Sequence, residues 1–208
     1  MQQQLWDISP PVSAASPVFP GDASYSQEWT WSLGPDCPVN VSAIRMSPHI
    51  GAHADAPLHY AAGGPSIGQL PLEPFLGPCR VIHAFHCGPL ILPEHLQHAT
   101  NDLPTRVLVR TSQYAPDPWW TNDFTAYAPQ TIEWLATLGV TLIGLDTPSI
   151  DPATSKTLDS HHAILRLDIR VLENLRLDHV PEGDYELIAL PLNLIEADAS
   201  PVRAILRK

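Results

Sequence analysis

Basic residues are scarce in this chain. Its 208 residues hold 11 Lys+Arg against 22 Asp+Glu, a formal net charge of −11 with histidine neutral. So acidic a surface repels phosphate backbones, which argues against a nucleic-acid partner. Cysteine is nearly as rare. Cys37, Cys79 and Cys87 form an odd set at neither zinc-ribbon nor Cys-x-x-Cys spacing, so a disulfide framework is not expected and reduced thiols fit a cytoplasmic address. No apolar run approaches the ~20 residues of a membrane span, and Met1–Asp7 has neither the basic start nor the apolar stretch of a signal peptide. The expectation is a cytoplasmic protein with no membrane partner. Charged residues make up only 16% of the chain and hydrophobic ones 44%, the reverse of what disorder requires.

What is abundant is proline, 23 residues, which argues against a helical bundle and for a domain with many rigid loops. The length suits one domain, residues 1–208. Tyr25–Trp31 and Val39–Met46 both alternate and predict an antiparallel hairpin across Leu33-Gly34-Pro35-Asp36. Apolar runs at Val81–Phe85, Val107–Val109, Thr141–Asp146, Glu186–Leu190 and Ala204–Leu206 read as strands. Thr131–Leu138, ended by Gly139, and Asp159–Arg166 read as helices. Strands interleaved with helices predict an α/β fold.

Histidine is the other abundance, with 10 residues, and several cluster. The segment His49-Ile50-Gly51-Ala52-His53-Ala54-Asp55-Ala56-Pro57-Leu58-His59 carries three imidazoles and a carboxylate. Pro48, Gly51 and Pro57 oppose a helical path. On an extended path His53 and Asp55, two apart, point to one side, and bends at Gly51 and Pro57 can turn His49 and His59 inward. Two neutral imidazoles and a carboxylate leave a fourth position for water, the arrangement of catalytic rather than structural zinc. His161 and His162 are adjacent; helical neighbours diverge by about 100 degrees, so only one of them can face a given metal. His83, His86, His95, His98 and His179 read as structural. Asp146, at the end of a buried strand, is a lesser candidate for lining a site, and Trp119-Trp120 reads as core or interface, with part of a substrate lid as the alternative.

The run from His49 to His59 matches His-x-Gly-x-His-x-Asp-x-Pro-x-His and resembles the signature of the cyclase-like metal-dependent hydrolases. Ser155–His162 with Val171–Leu175 is similar to that family's second metal-binding region. Asp7-Ile8-Ser9-Pro10-Pro11 and Pro17-Val18-Phe19-Pro20-Gly21-Asp22 resemble its formamidase branch. Ala52 stands where the family usually has Thr, and Phe19 where it often has Trp. The resemblance implies a swivelling β/α/β fold, with a β-barrel-like mixed sheet core and flanking helices, working as a homodimer. It implies hydrolysis of N-formyl-L-kynurenine to L-kynurenine and formate, a step of tryptophan breakdown. Two zinc ions per subunit are implied, with manganese the alternative: His49, His53 and Asp55 on one, and Asp55 bridging to a second held by His161 and Glu173. Glu173 would otherwise read as a solvated helix residue. His59 would be the acid/base residue and Phe19 the wall against the substrate's ring. Two rival readings stand beside this one: a hydrolase of another cyclic or aryl amide such as isatin, and a metal-binding relative without turnover.

Overall fold

Short runs of Val, Ile and Leu broken by Pro and Gly favour strands over helices, and strands carry the architecture. The computed structural model describes residues 4–115 and 119–208. Met1–Gln3 of the N-terminal segment and Pro116–Pro118 of the proline-rich loop lie outside these. In chain order the first strands and helix are β1 (Leu5–Asp7), β2 (Ser26–Trp31), β3 (Val41–Arg45), β4 (His53–Asp55), α1 (Pro57–Tyr60), β5 (Leu76–His83), β6 (Leu90–Ile91), β7 (Arg106–Arg110) and β8 (Ala126–Tyr127). There follow α2 (Pro129–Thr137), β9 (Leu142–Leu145), α3 (Asp159–Leu167), β10 (Arg170–Glu173), β11 (Gly183–Ile188), β12 (Ala199–Pro201) and β13 (Ile205–Arg207). Nine strands form one curled half-barrel sheet in the order β1-β13-β11-β5-β7-β9-β10-β4-β12. Its centre, β5-β7-β9-β10, is parallel, and antiparallel strands extend it on both sides.

The central strands are buried on both faces, and side-chain alternation divides the core in two. Leu108, Leu142 and Leu172 join one apolar cluster with Phe75 and Leu187. Val107, Val109, Ile143 and Val171 join the other, with Ile132 and Leu135 of α2 and Ile164 of α3. Each such fully buried side chain contributes roughly 1.5–3 kcal/mol relative to an exposed one. One face of the sheet is therefore the helix face. Residues at the ends of β4 and β10 with the parity of Val171 must point toward α3.

The predicted hairpin is present: Ser26 pairs with Arg45 and Trp29 with Ser42, with an irregularity between Trp29 and Trp31. Every residue of both its strands is exposed. Gly139 follows α2 at φ +85, the left-handed turn expected of it. Glu173 corrects one expectation. It lies on a buried strand and not on a solvated helix, because Arg170–Glu173 is inserted between β9 and β4. Among the described residues no helix is long and apolar enough to cross a membrane.

Candidate metal centre

Sheet register assembles the site. β4 runs antiparallel to β10 with His53 opposite Glu173 and Asp55 opposite Val171, so all three acidic and imidazole side chains share the helix face. There α3 delivers His161, which is buried, whereas His162 is exposed. The ligand atoms of His53, Asp55 and Glu173 lie within 4.8 Å of one another, as do those of His49, Asp55 and His59. His53 Nε2 is 3.4 Å from Asp55 Oδ1 and 3.3 Å from Glu173 Oε2. His161 Nε2 is 3.4 Å from Asp55 Oδ2 and 3.7 Å from Glu173 Oε1. Asp55 thus turns one oxygen toward His49 and His53 and the other toward His161.

The orientation of each imidazole is set from behind. Gly51, at φ +66, bends the chain so that its carbonyl accepts a hydrogen bond from His53 Nδ1 at 2.9 Å. A carbonyl can only accept, so Nδ1 carries the proton and Nε2 offers its lone pair to the cluster. Asp151 Oδ2 accepts from His161 Nδ1 at 2.7 Å and from the His161 amide at 2.9 Å, while Oδ1 accepts from the Ser160 amide. One carboxylate both caps the start of α3 and turns the second imidazole. Asp198 Oδ2 accepts from His49 Nε2 at 3.0 Å, leaving His49 Nδ1 3.0 Å from Asp55 Oδ1. Glu173 Oε1 is held by the Ile150 amide at 2.8 Å.

These residues fit a cation. His53 Nε2 and Asp55 Oδ1 are buried and have no hydrogen-bond partner among the described residues; the close approach of His49 to Asp55 Oδ1 is out of line for a hydrogen bond. Two orphaned polar atoms at one point would each cost about 1–3 kcal/mol without a partner, and both are good ligands for a divalent metal. Three histidines whose other nitrogen is tied to a carbonyl or carboxylate repeat the pattern that surrounds protein-bound metals. Without the cation, charge is balanced internally. Burial pushes His49 down, but Asp55 and Asp198 outweigh it and raise it to about 9. Burial likewise opposes His161, yet Asp151 and Asp55 lift it to about 10. Burial would raise Asp55, and the His161, His49 and His53 imidazoles packed against it instead hold it well below the usual carboxylate range.

His59 stands beside this group on α1, at the rim. Its ring centroid is 4.3 Å from that of His49, and its side chain is 35% exposed. A cavity of about 350 Å³ opens above, lined by His49, His53, His59, Glu173, Phe19 and Trp120. Phe19 meets Trp120 edge-on at 5.2 Å. The structure therefore brings all seven sequence-predicted residues to one place. Of the readings of the tryptophan pair as core or interface it rules out core: Trp119 is 71% exposed and Trp120 lines the cavity. Asp146 lines a neighbouring cavity of about 710 Å³ that contains none of the ligand candidates. There it accepts hydrogen bonds from Thr111 and Ser112. Sequence reasoning missed Asp151 and Asp198. Asp151 sits before a proline and nine residues ahead of Ser160, a spacing that marks no known cap, and Asp198 lies in an irregular loop with no periodicity.

Residues 6–152 match the model of the cyclase family. The chain is 78% identical over 206 residues to the kynurenine formamidase of Bordetella petrii, covering 99% of each. It is 76% identical over 206 residues to that of Bordetella avium, again covering 99% of each. A solved structure described as a predicted metal-dependent hydrolase from Bacillus stearothermophilus superposes with a TM-score of 0.84 at 27% identity, covering 100% of this chain and 99% of that one.

Proposed function

The chain belongs to the kynurenine formamidase branch of the cyclase family, and from that premise we propose that it hydrolyses N-formyl-L-kynurenine to L-kynurenine and formate. The observation that carries the reading is the convergence of His53, Asp55, Glu173 and His161 beneath the 350 Å³ cavity, with two buried ligand atoms unpaired among the described residues. His49, His53 and Asp55 would hold one zinc ion, and Asp55, His161 and Glu173 a second, with Asp55 common to both. When bound, such cations polarise a carbonyl and acidify water toward neutral pH.

The remaining work belongs to the chain. The formyl carbon carries only hydrogen, so a wall close to the cluster would admit it and reject bulkier acyl groups by clash. Phe19, 54% exposed and braced by Trp120, offers a flat apolar face to the aryl ring. The departing aryl amine leaves poorly as an anion, and His59 supplies the proton to its nitrogen. The protein works in the cytoplasm in this reading, with Cys37, Cys79 and Cys87 all free.

The test is formate release from N-formylkynurenine by zinc-loaded and manganese-loaded protein beside metal-stripped protein and an isatin control. Formate release that a chelator abolishes is expected. Faster isatin opening, or bound metal with no turnover of either compound, sinks the reading.

We also propose a homodimer. Trp29, Trp31 and Ile44 are 57–59% exposed on the hairpin, an apolar surface of the kind that marks an interface. Sedimentation should give twice the 22.8 kDa chain mass, and Trp29→Asp with Ile44→Asp should shift the protein to monomer. A wild-type monomer at micromolar concentration would refute this.

A further inference from the structure

We propose that Asp198 is a shared positioning residue, whose single oxygen sets His59 for proton transfer and His49 for metal binding at once. Neither histidine segment contains it, and it is 139 residues from His59 in the chain. The sheet brings it there. β12 pairs with β4 so that Ala199 faces Asp55, and the Asp198 carbonyl accepts from the Ala56 amide at 2.9 Å. Its backbone is thereby fixed one step beyond the central ligand, beside the turn into α1.

From this anchor Oδ2 reaches two rings. It lies 3.0 Å from His49 Nε2 and 3.3 Å from His59 Nδ1. A carboxylate oxygen accepts, so each nitrogen donates. That assignment leaves opposite nitrogens free: Nδ1 of His49, which faces Asp55, and Nε2 of His59. One residue therefore imposes complementary tautomers on two imidazoles whose centroids are 4.3 Å apart. Without it, either ring can flip or change tautomer, and the His59 nitrogen available for the amine would no longer be defined. The logic is that of the carboxylate that orients histidine in a catalytic triad, joined here to the carboxylate behind a metal-bound histidine.

The role in proton transfer rests on the formamidase reading, whereas the tautomer assignment does not. Nitrogen-15 NMR of histidine-labelled, zinc-loaded protein, with His59 assigned from the spectrum of His59→Gln, should show His59 protonated at Nδ1. Asp198→Ala should release that preference and weaken zinc binding, measured by chelator competition, by about 10–100-fold. At saturating zinc its kcat should fall by a similar ~10–100-fold with KM little changed. Asp198→Asn, which keeps an acceptor oxygen, should retain the His59 tautomer and recover part of kcat. A side chain 42% exposed is no core element, so folding should survive both changes. An unchanged His59 tautomer together with unchanged kcat in Asp198→Ala overturns the proposal. Absence of formate release from the wild type would instead count against the activity, and the tautomer and zinc affinity would still decide the place of Asp198.

Discussion

Asp55→Asn should abolish metal retention and lower formate release by at least ~10³-fold, which corresponds to a barrier rise of about 4 kcal/mol. Asparagine has nearly the same shape, so the 2% exposed site needs no repacking. What changes is charge and donor character. One oxygen becomes an NH₂ group that donates to the lone pair of a ring nitrogen, either His53 Nε2 at the Oδ1 side or His161 Nε2 at the Oδ2 side, and so takes up the lone pair a cation would use. The negative charge nearest both ligand groups is lost as well. Because Asp55 is the member common to both groups of close ligand atoms, no single other substitution removes as much. Metal analysis after dialysis and a formate assay check this; His162→Ala, at an exposed neighbour of a ligand, should leave both unchanged. An Asp55→Asn protein with full metal content and full turnover would end the ligand assignment.

The contrast between Asp55 and Glu173 shows what a linear reading can and cannot contain. His53 and Asp55 are two apart, and strand alternation alone aligns them; the breakers Gly51 and Pro57 state that the path is not helical. Glu173 has no such local context, since its meaning comes from lying opposite His53, 120 residues away in sequence, a register that only the folded sheet shows. The same holds for Asp151 and Asp198, which act by holding imidazoles and so need no ligand spacing of their own. Strands such as β5, β7 and β9 were legible because buried parallel strands are continuous apolar runs. The short strands β1 and β12 were not, because neither carries an alternation that marks it out from a loop. His161 and His162 were separable only by burial, which their helical positions leave undetermined until α3 is packed against the sheet.

His59→Ala should keep its metal and lose about 10²–10⁴ in kcat, the usual worth of one positioned acid/base group. The argument begins with the leaving group. Cleaving a formanilide without a proton donor would release an anilide anion, a far stronger base than water can readily accommodate. The proton must therefore come from a group at the edge of the cavity that can also regain it. His59 meets both conditions: it lines the cavity, and its side chain is 35% exposed, so solvent can recharge it. It lies outside the group formed by His53, Asp55 and Glu173, so its removal should leave metal content unchanged. A series of ring-substituted formanilides gives a sharper readout than a single rate. Nitro groups make the amine a better leaving group and lessen its need for a proton, so the deficit of His59→Ala should shrink along that series while the wild type varies little. A deficit independent of the leaving group would remove His59 from the proton-transfer role. Loss of metal in the same variant would place it among the ligands instead, where its nitrogen, within 4.8 Å of the ligand atoms of His49 and Asp55, has the reach to be.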